Sequence, residues 1–176
     1  MHKLFPSQQE NEVIYLVLRQ HWFILFTRLL VWFFFVAVLL GFQRFVQPVA
    51  PGLFEGTAGQ VVSLFVQVYN LFLLLSLFLI WLFWYLNIQI ISNLRIVDID
   101  QVGLFSRTIS ELFIENIEDV TSETGGIFGT VLNYGMVYVQ TAGSRERFEF
   151  DNVPNAAAVE KLILDLYGQL PKKNHE

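Results

Sequence analysis

Residues 61–100 read VVSLFVQVYNLFLLLSLFLIWLFWYLNIQIISNLRIVDID, and a change of pattern inside this stretch decides the fold. As far as Leu86 the run is apolar, with Ser63, Gln67, Asn70 and Ser76 as its polar members. A helix of about 20 such residues spans about 30 Å of hydrocarbon. After residue 87 the pattern changes to short β-rich runs. Ile88–Ile91 and Arg95–Asp100 flank Ser92-Asn93, which has the composition of a tight turn. The stretch therefore predicts a transmembrane helix that leads directly into a β domain.

Upstream, a second apolar stretch runs from Trp22 to Phe42, broken only by Thr27 and Arg28. It lacks the small-residue cleavage site of a signal peptide. Two buried core helices of this kind would leave nothing in a 176-residue chain to cover them. Pro48, Pro51, Gly52, Gly56 and Gly59 mark the connection as a loop. The expected organisation is a juxtamembrane segment over 1–21, transmembrane helices over 22–42 and 61–87, an extracytoplasmic loop over 43–60, a cytoplasmic domain over 88–168 and a tail over 169–176. Residues 8–21 contain a six-residue apolar run, Val13 to Leu18, that reads equally as a strand or as an interfacial start to the first helix.

Composition agrees. The chain is 54% hydrophobic and 15% charged, against about 25% charged in typical globular proteins. This excludes a disordered tail, a collagen-like rod and a basic nucleic-acid binder. All four Trp and 13 of the 18 Phe precede residue 88, whereas residues 88–176 carry 7 basic and 13 acidic side chains. Lys3, Arg19 and Arg95 flank the spans, and the intervening loop is nearly neutral. The positive-inside rule then places both termini in the cytoplasm of a multi-pass cell-membrane protein.

Within a hairpin, Trp22 falls at the level of Trp81, Trp84 and Tyr85. Their rings suit the headgroup region and predict an anchoring belt. Arg28 lies about 9 Å down the first helix, within snorkelling reach of the surface. Ser63, Gln67 and Asn70, spaced four and three, share one helix face and predict helix association, between copies, within the hairpin or with another subunit. Neither span holds a carboxylate or a His, which argues against a proton pump.

In the C-terminal half, strands are expected at Phe105–Leu112, Ile117–Glu123, Gly135–Thr141 and Arg147–Asp151, with Phe148 and Phe150 facing a core and a turn at Ala142-Gly143-Ser144. A helix opening at Val153-Pro154 carries Val159, Leu162, Ile163 and Leu166 on one stripe and stops at Gly168. The expected fold is a membrane α-helical hairpin plus a small antiparallel β barrel or sandwich closed by one C-terminal helix.

That order, together with Glu12-Val13-Ile14 and Arg19-Gln20-His21-Trp22 before the first span, resembles the bacterial membrane-flanked PH-like domain family. Ile90-Ile91-Ser92-Asn93-Leu94-Arg95-Ile96 after the second span, Gly103-Leu104-Phe105, Ile117-Glu118-Asp119-Val120 and Gly126 through Gly135 extend the likeness to about residues 10–168. Ser92 stands where Thr is more usual. The resemblance implies a PH-like fold and membrane attachment, and little about biochemical role.

Chemistry is sparse. There is no Cys, and the three His (His2, His21 and His175) have no spacing that forms a metal site or a Ser–His–Asp arrangement in the C-terminal domain. Asp98 and Asp100 point to one side of a strand and read as a solvated face. Gly125-Gly126-Ile127-Phe128-Gly129-Thr130 lacks the Lys-Ser/Thr ending of a phosphate loop and reads as a turn before a short helix. Arg145 and Arg147 are interleaved with Glu146 and Glu149, so the clustered cations that headgroup phosphates require are missing. The expectation is a non-enzymatic membrane protein without cofactor or metal. It displays its domain to a protein partner or to a second copy, with no nucleic-acid binding and no anionic-headgroup recognition. A lipid or small-ligand module and an oligomeric channel or transporter component are the alternatives.

Overall fold

The computed structural model describes residue 5, residues 8–141 and residues 148–169. They divide into two compact units, one formed by the described residues up to His21 together with those from Tyr85 onward, the other by Trp22–Trp84.

The Trp22–Trp84 unit is a helical hairpin. Helix α1 spans Trp22–Gly41. Its backbone widens into a π-helical turn over Phe42–Val46 and resumes as the short α2, Gln47–Val49. Pro48 explains the irregularity: it has no N–H to donate to the preceding turn, and the ladder loosens immediately before it. A 3₁₀ turn over Pro51–Phe54 leads into α3, Gly56–Leu86. The segment expected to be a loop over 43–60 is thus largely helical. The second helix starts at Gly56, five residues earlier than its apolar run, and Gly59 lets it pass the Phe54 carbonyl oxygen, 2.3 Å from where a Cβ would stand. Trp32 Nε1 donates to the Leu73 carbonyl at 2.9 Å and Tyr69 Oη to the Phe35 carbonyl at 3.2 Å, which fixes an antiparallel register. Both helical runs are long and apolar enough to cross a membrane, and only 6% of the most apolar window of each is buried.

The other unit is a β domain with seven strands among its described residues. One antiparallel sheet has the order β1-β2-β3-β4, with β1 Ile14–Arg19, β2 Ile88–Ser92, β3 Arg95–Gln101 and β4 Arg107–Phe113. The second has the order β5-β6-β7, with β5 Ile117–Glu123, β6 Tyr134–Thr141 and β7 Phe148–Pro154. Helix α4, Gly126–Leu132, joins β5 to β6, and α5, Ala156–Gly168, ends the domain. Residues 14–19, left open by the sequence, are a strand: β1 pairs with β2 from Ile14↔Ser92 to Arg19↔Ile88. The domain therefore begins upstream of the first apolar helix.

Ile91, Ile96 and Leu112 of the first sheet, Val120, Val137, Val139 and Phe150 of the second, and Val159, Ile163 and Leu166 of α5 form one core. Leu162 is only partly buried at its margin. Phe5, Ile90, Val97 and Ile99 form a second cluster on the opposite face of the first sheet. β2 and β3 are thus buried on both faces, which is why they read as near-continuous apolar runs. Pro154 does not open α5 but ends β7, opposite Tyr134. Asn155, in the left-handed conformation, makes the turn instead. Gly135 is required where β6 passes β5, because a Cβ there would lie 2.3 Å from the Glu123 carbonyl oxygen. The expected turn at 142–144 and the tail beyond Gln169 lie outside the described residues.

Candidate functional site

The two sequence motifs that bracket the apolar helices meet in one buried cluster. Glu12 precedes β1, Ser92 ends β2 and Arg95 opens β3. Arg95 Nε lies 3.1 Å from Glu12 Oε1, and Arg95 Nη1 lies 2.7 Å from Glu111 Oε2 on β4. Ser92 Oγ donates to Glu12 Oε1 at 2.7 Å and receives the backbone N–H groups of Leu94 and Arg95 at 3.2 and 3.0 Å. The Phe113 ring lies 5.2 Å from the guanidinium carbon. Burial works against the Arg95 charge, but the hydrogen bonds and attraction from Glu111 and Glu12 outweigh it and raise its pKa. Arg95, expected from sequence to flank the second span, sits at the turn end of β2 and β3, is 4% exposed, and clasps the start of β1 to the sheet. The pairing was hard to foresee, because Glu12 and Arg95 are 83 residues apart with both apolar helices between them.

A second polar group lies on the inner face of the first sheet. Asp98 pairs across strands with Gln89 and Ser110, and it shares the face of Ile96, which packs into the core. The solvated-face reading fails for Asp98. Burial, then repulsion from Asp100 and Asp151, pushes its carboxyl up to about 7, opposed only by a hydrogen bond from Gln89. Asp98 Oδ1 and Gln89 Oε1 are buried without a hydrogen-bond partner. Among the described residues, no group of three or more His, Asp or Glu side chains is arranged to hold a metal ion.

The chain enters and leaves the β domain at one end. His21 donates its backbone N–H to the Asn152 carbonyl at 2.8 Å, and its ring stacks on Tyr134 at 5.0 Å. Burial lowers its pKa. Arg19 Nε donates to the Tyr85 carbonyl at 3.3 Å, with the guanidinium 4.6 Å from the Tyr85 ring centroid. Tyr85, expected as a membrane anchor, is thus also a partner of β1. Trp22 opens α1, and Trp81 and Trp84 lie in the last turns of α3. The antiparallel register set by Trp32 and Tyr69 brings these three Trp to one end of the hairpin.

The polar stripe is exposed on α3 and bonds along its own helix. Gln67 Nε2 donates to Ser63 Oγ at 3.1 Å and Asn70 Nδ2 to the Val66 carbonyl at 2.9 Å. It does not face α1, so among the association modes expected from sequence the one within the hairpin finds no support. Gly125 and Gly126 lead into α4 as a turn, with Gly126 at a φ of +71° and Gly129 buried. Arg145 and Arg147 lie outside the described residues.

A family model described as bacterial PH domain matches residues 23–167. Among solved structures, the chain is similar to a DUF1696 family protein with a pleckstrin-homology domain from Shewanella loihica PV-4. Identity is 15%, the TM-score is 0.39, and the match covers 46% of this chain and 70% of that one. A pleckstrin homology domain from Shewanella amazonensis SB2B matches at 15% identity and a TM-score of 0.38, over 46% of this chain and 66% of that one. No curated protein matches.

Proposed function

This chain belongs to the bacterial PH domain family, and from that premise we propose that it is a non-enzymatic integral membrane protein whose two apolar helices hold the PH-like domain at the cytoplasmic surface, where it engages a protein partner or a second copy of itself. The observation that carries the reading is the β1–β2 pairing. The strand before the first apolar helix is hydrogen-bonded to the strand after the second. A cleaved leader would take β1 away from its sheet, so a signal-peptide role for α1 is disfavoured. A soluble-core role fits poorly with two helices that are almost wholly uncovered.

Self-association is favoured through the exposed Ser63, Gln67 and Asn70 face. An amide pair between membrane helices contributes around 0.6 kcal/mol, occasionally 1–2. The test is single-molecule photobleaching of the full chain in lipid, comparing the parent with Gln67→Leu plus Asn70→Leu. The parent is expected to show multi-step bleaching and the double variant to shift toward single steps. A monomeric parent, or an unchanged variant, removes this face as the interface. Crosslinking and pull-down from native membranes then reports whether a different protein occupies the domain.

A further inference from the structure

The five most exposed large apolar side chains among the described residues of the β domain are Phe105 (100%), Ile127 (80%), Val131 (74%), Val102 (70%) and Phe128 (61%). They come from two separate loops. Val102 and Phe105 form the β3–β4 turn, closed by Val102 and Gly103 N–H bonds to the Ser106 carbonyl at 3.0 and 3.1 Å. Ile127, Phe128 and Val131 lie on α4.

Both loops hang from the end of the domain where the chain crosses to and from the apolar helices. Gln101, one residue before the β3–β4 turn, donates its backbone N–H at 2.7 Å to the side chain of Asn87, the residue between α3 and β2. On the other side, Tyr134 begins β6 directly after α4 and Asn133, and it stacks on His21, the last residue before α1. Gly129 of α4 packs so closely under Tyr134 that a Cβ would stand 3.1 Å from its carbonyl oxygen. The opposite end of the domain carries exposed Glu115, Glu118 and Asp119, and its most exposed large apolar side chain is Val13 at 56%.

We propose that the β3–β4 turn and α4 form a second, peripheral membrane contact that inserts Val102, Phe105, Ile127 and Val131 into the interfacial layer of the bilayer crossed by the chain's own helices. The inference rests on the membrane reading given above. The occupant is lipid because two independent loops place their apolar side chains at the one end where continuity of the chain brings a bilayer. Apolar groups of this kind settle about 5–10 Å into the headgroup and acyl boundary. Exposed Arg107 follows the β3–β4 turn, and exposed Asp100 and Glu123 precede the two loops, so the charge next to the apolar groups is mixed. Because the inserted groups are uncharged, anionic lipid is not needed. The effect is to hold the domain at the membrane through its loops as well as through its two chain crossings.

The chain has no Cys, so single labels are clean. Phe105→Cys, Ile127→Cys, Glu118→Cys and Leu71→Cys, each carrying an environment-sensitive fluorophore, are reconstituted as full-length protein in phosphatidylcholine vesicles. Nitroxide lipids place the quencher either high on the acyl chain or near the bilayer centre. The label at 71 should be quenched most by the deep nitroxide. Labels at 105 and 127 should be blue-shifted and quenched by the shallow nitroxide several-fold more than the label at 118. If 71 is quenched while 105 and 127 behave like 118, the proposal is overturned and the membrane reading stands. If 105 and 127 shift to the blue without lipid quenching, protein rather than lipid covers them, and the proposal is again overturned. If 71 itself escapes quenching, the membrane reading fails and the proposal falls with it.

Discussion

The helical hairpin and the β domain use the same kinds of side chain in opposite ways. In the hairpin, Phe34, Phe65, Leu71 and Leu74 are each at least 60% exposed. In the β domain, Ile90, Ile91, Ile96 and Val97 are wholly buried. In water, the first surface would be an aggregation patch. In hydrocarbon, it is the ordinary outer face of a helix whose backbone bonds are all internal. The difference teaches that hydrophobicity states how much apolar surface there is, while period and neighbouring charge state what covers it. Polar groups follow the same division. Gln67 and Asn70 on the exposed helix face turn back onto their own helix, whereas Glu12, Ser92 and Arg95 are held by partners far away in sequence.

The sharpest way to break the buried side of this contrast is at Arg95. Arg95→Met leaves the Glu12 carboxylate buried without its cation, and removing one partner of such a pair typically costs about 3–5 kcal/mol. The full chain in detergent should show early loss of β structure on heating. Combining the substitution with Glu12→Gln should restore part of the loss. Equal melting of parent and single variant would show that the clasp is not structural.

Next in size is the closure of the core by α5. Ile163 is fully buried in the core to which both sheets contribute, so Ile163→Ala is expected to destabilise the domain by about 2–5 kcal/mol. Leu162→Ala, at the partly buried margin of the same stripe, should cost less. The reverse order would mean that the helix is rotated relative to its sheets.

Asp98 gives the smallest of these effects, and one that depends on pH. Its folded-state pKa is raised from 3.8 to about 7. The folded domain therefore holds this proton more tightly than the unfolded chain. The resulting stabilisation is fully present below about pH 4 and is lost as pH rises through about 7. Asp98→Asn should flatten the melting temperature over that window and raise it at pH 8, as followed by circular dichroism. An unchanged pH profile would contradict the burial of this carboxyl.

Much of the fold was legible because its signals are local. The apolar runs of α1 and α3, the Ser92-Asn93 turn and the stripe of α5 each need only neighbouring residues to be read. What escaped needed distant partners or backbone detail. The run at Val13 to Leu18 forms a strand, Ile14–Arg19, only because Ile88–Ser92 offers it an edge, 69 residues on from Arg19 at the nearest pairing. Arg95 looked like a flanking cation until Glu12 and Glu111 were brought beside it. The reading of 43–60 as loop followed its Pro and Gly content, but the first helical run continues through Pro48 to Val49 by widening into the π-helical turn at Phe42–Val46. Pro154 misled in the other direction, ending a strand rather than starting a helix. Phe105 reads as strand because it continues the alternation of Arg107, Ile109 and Glu111, but β4 begins only at Arg107 and Phe105 belongs to the turn.

Sidedness is the most direct measurement of the architecture. Thr57→Cys, at the exposed start of α3, and Glu118→Cys, on β5, can each be challenged with an impermeant thiol reagent in intact cells and again after permeabilisation. A helical pair that crosses the membrane twice, with the β domain inside, predicts that position 57 reacts in intact cells and that position 118 reacts only after permeabilisation. Reaction of both positions from the same side would contradict two crossings, and reaction of position 118 alone from outside would invert the domain.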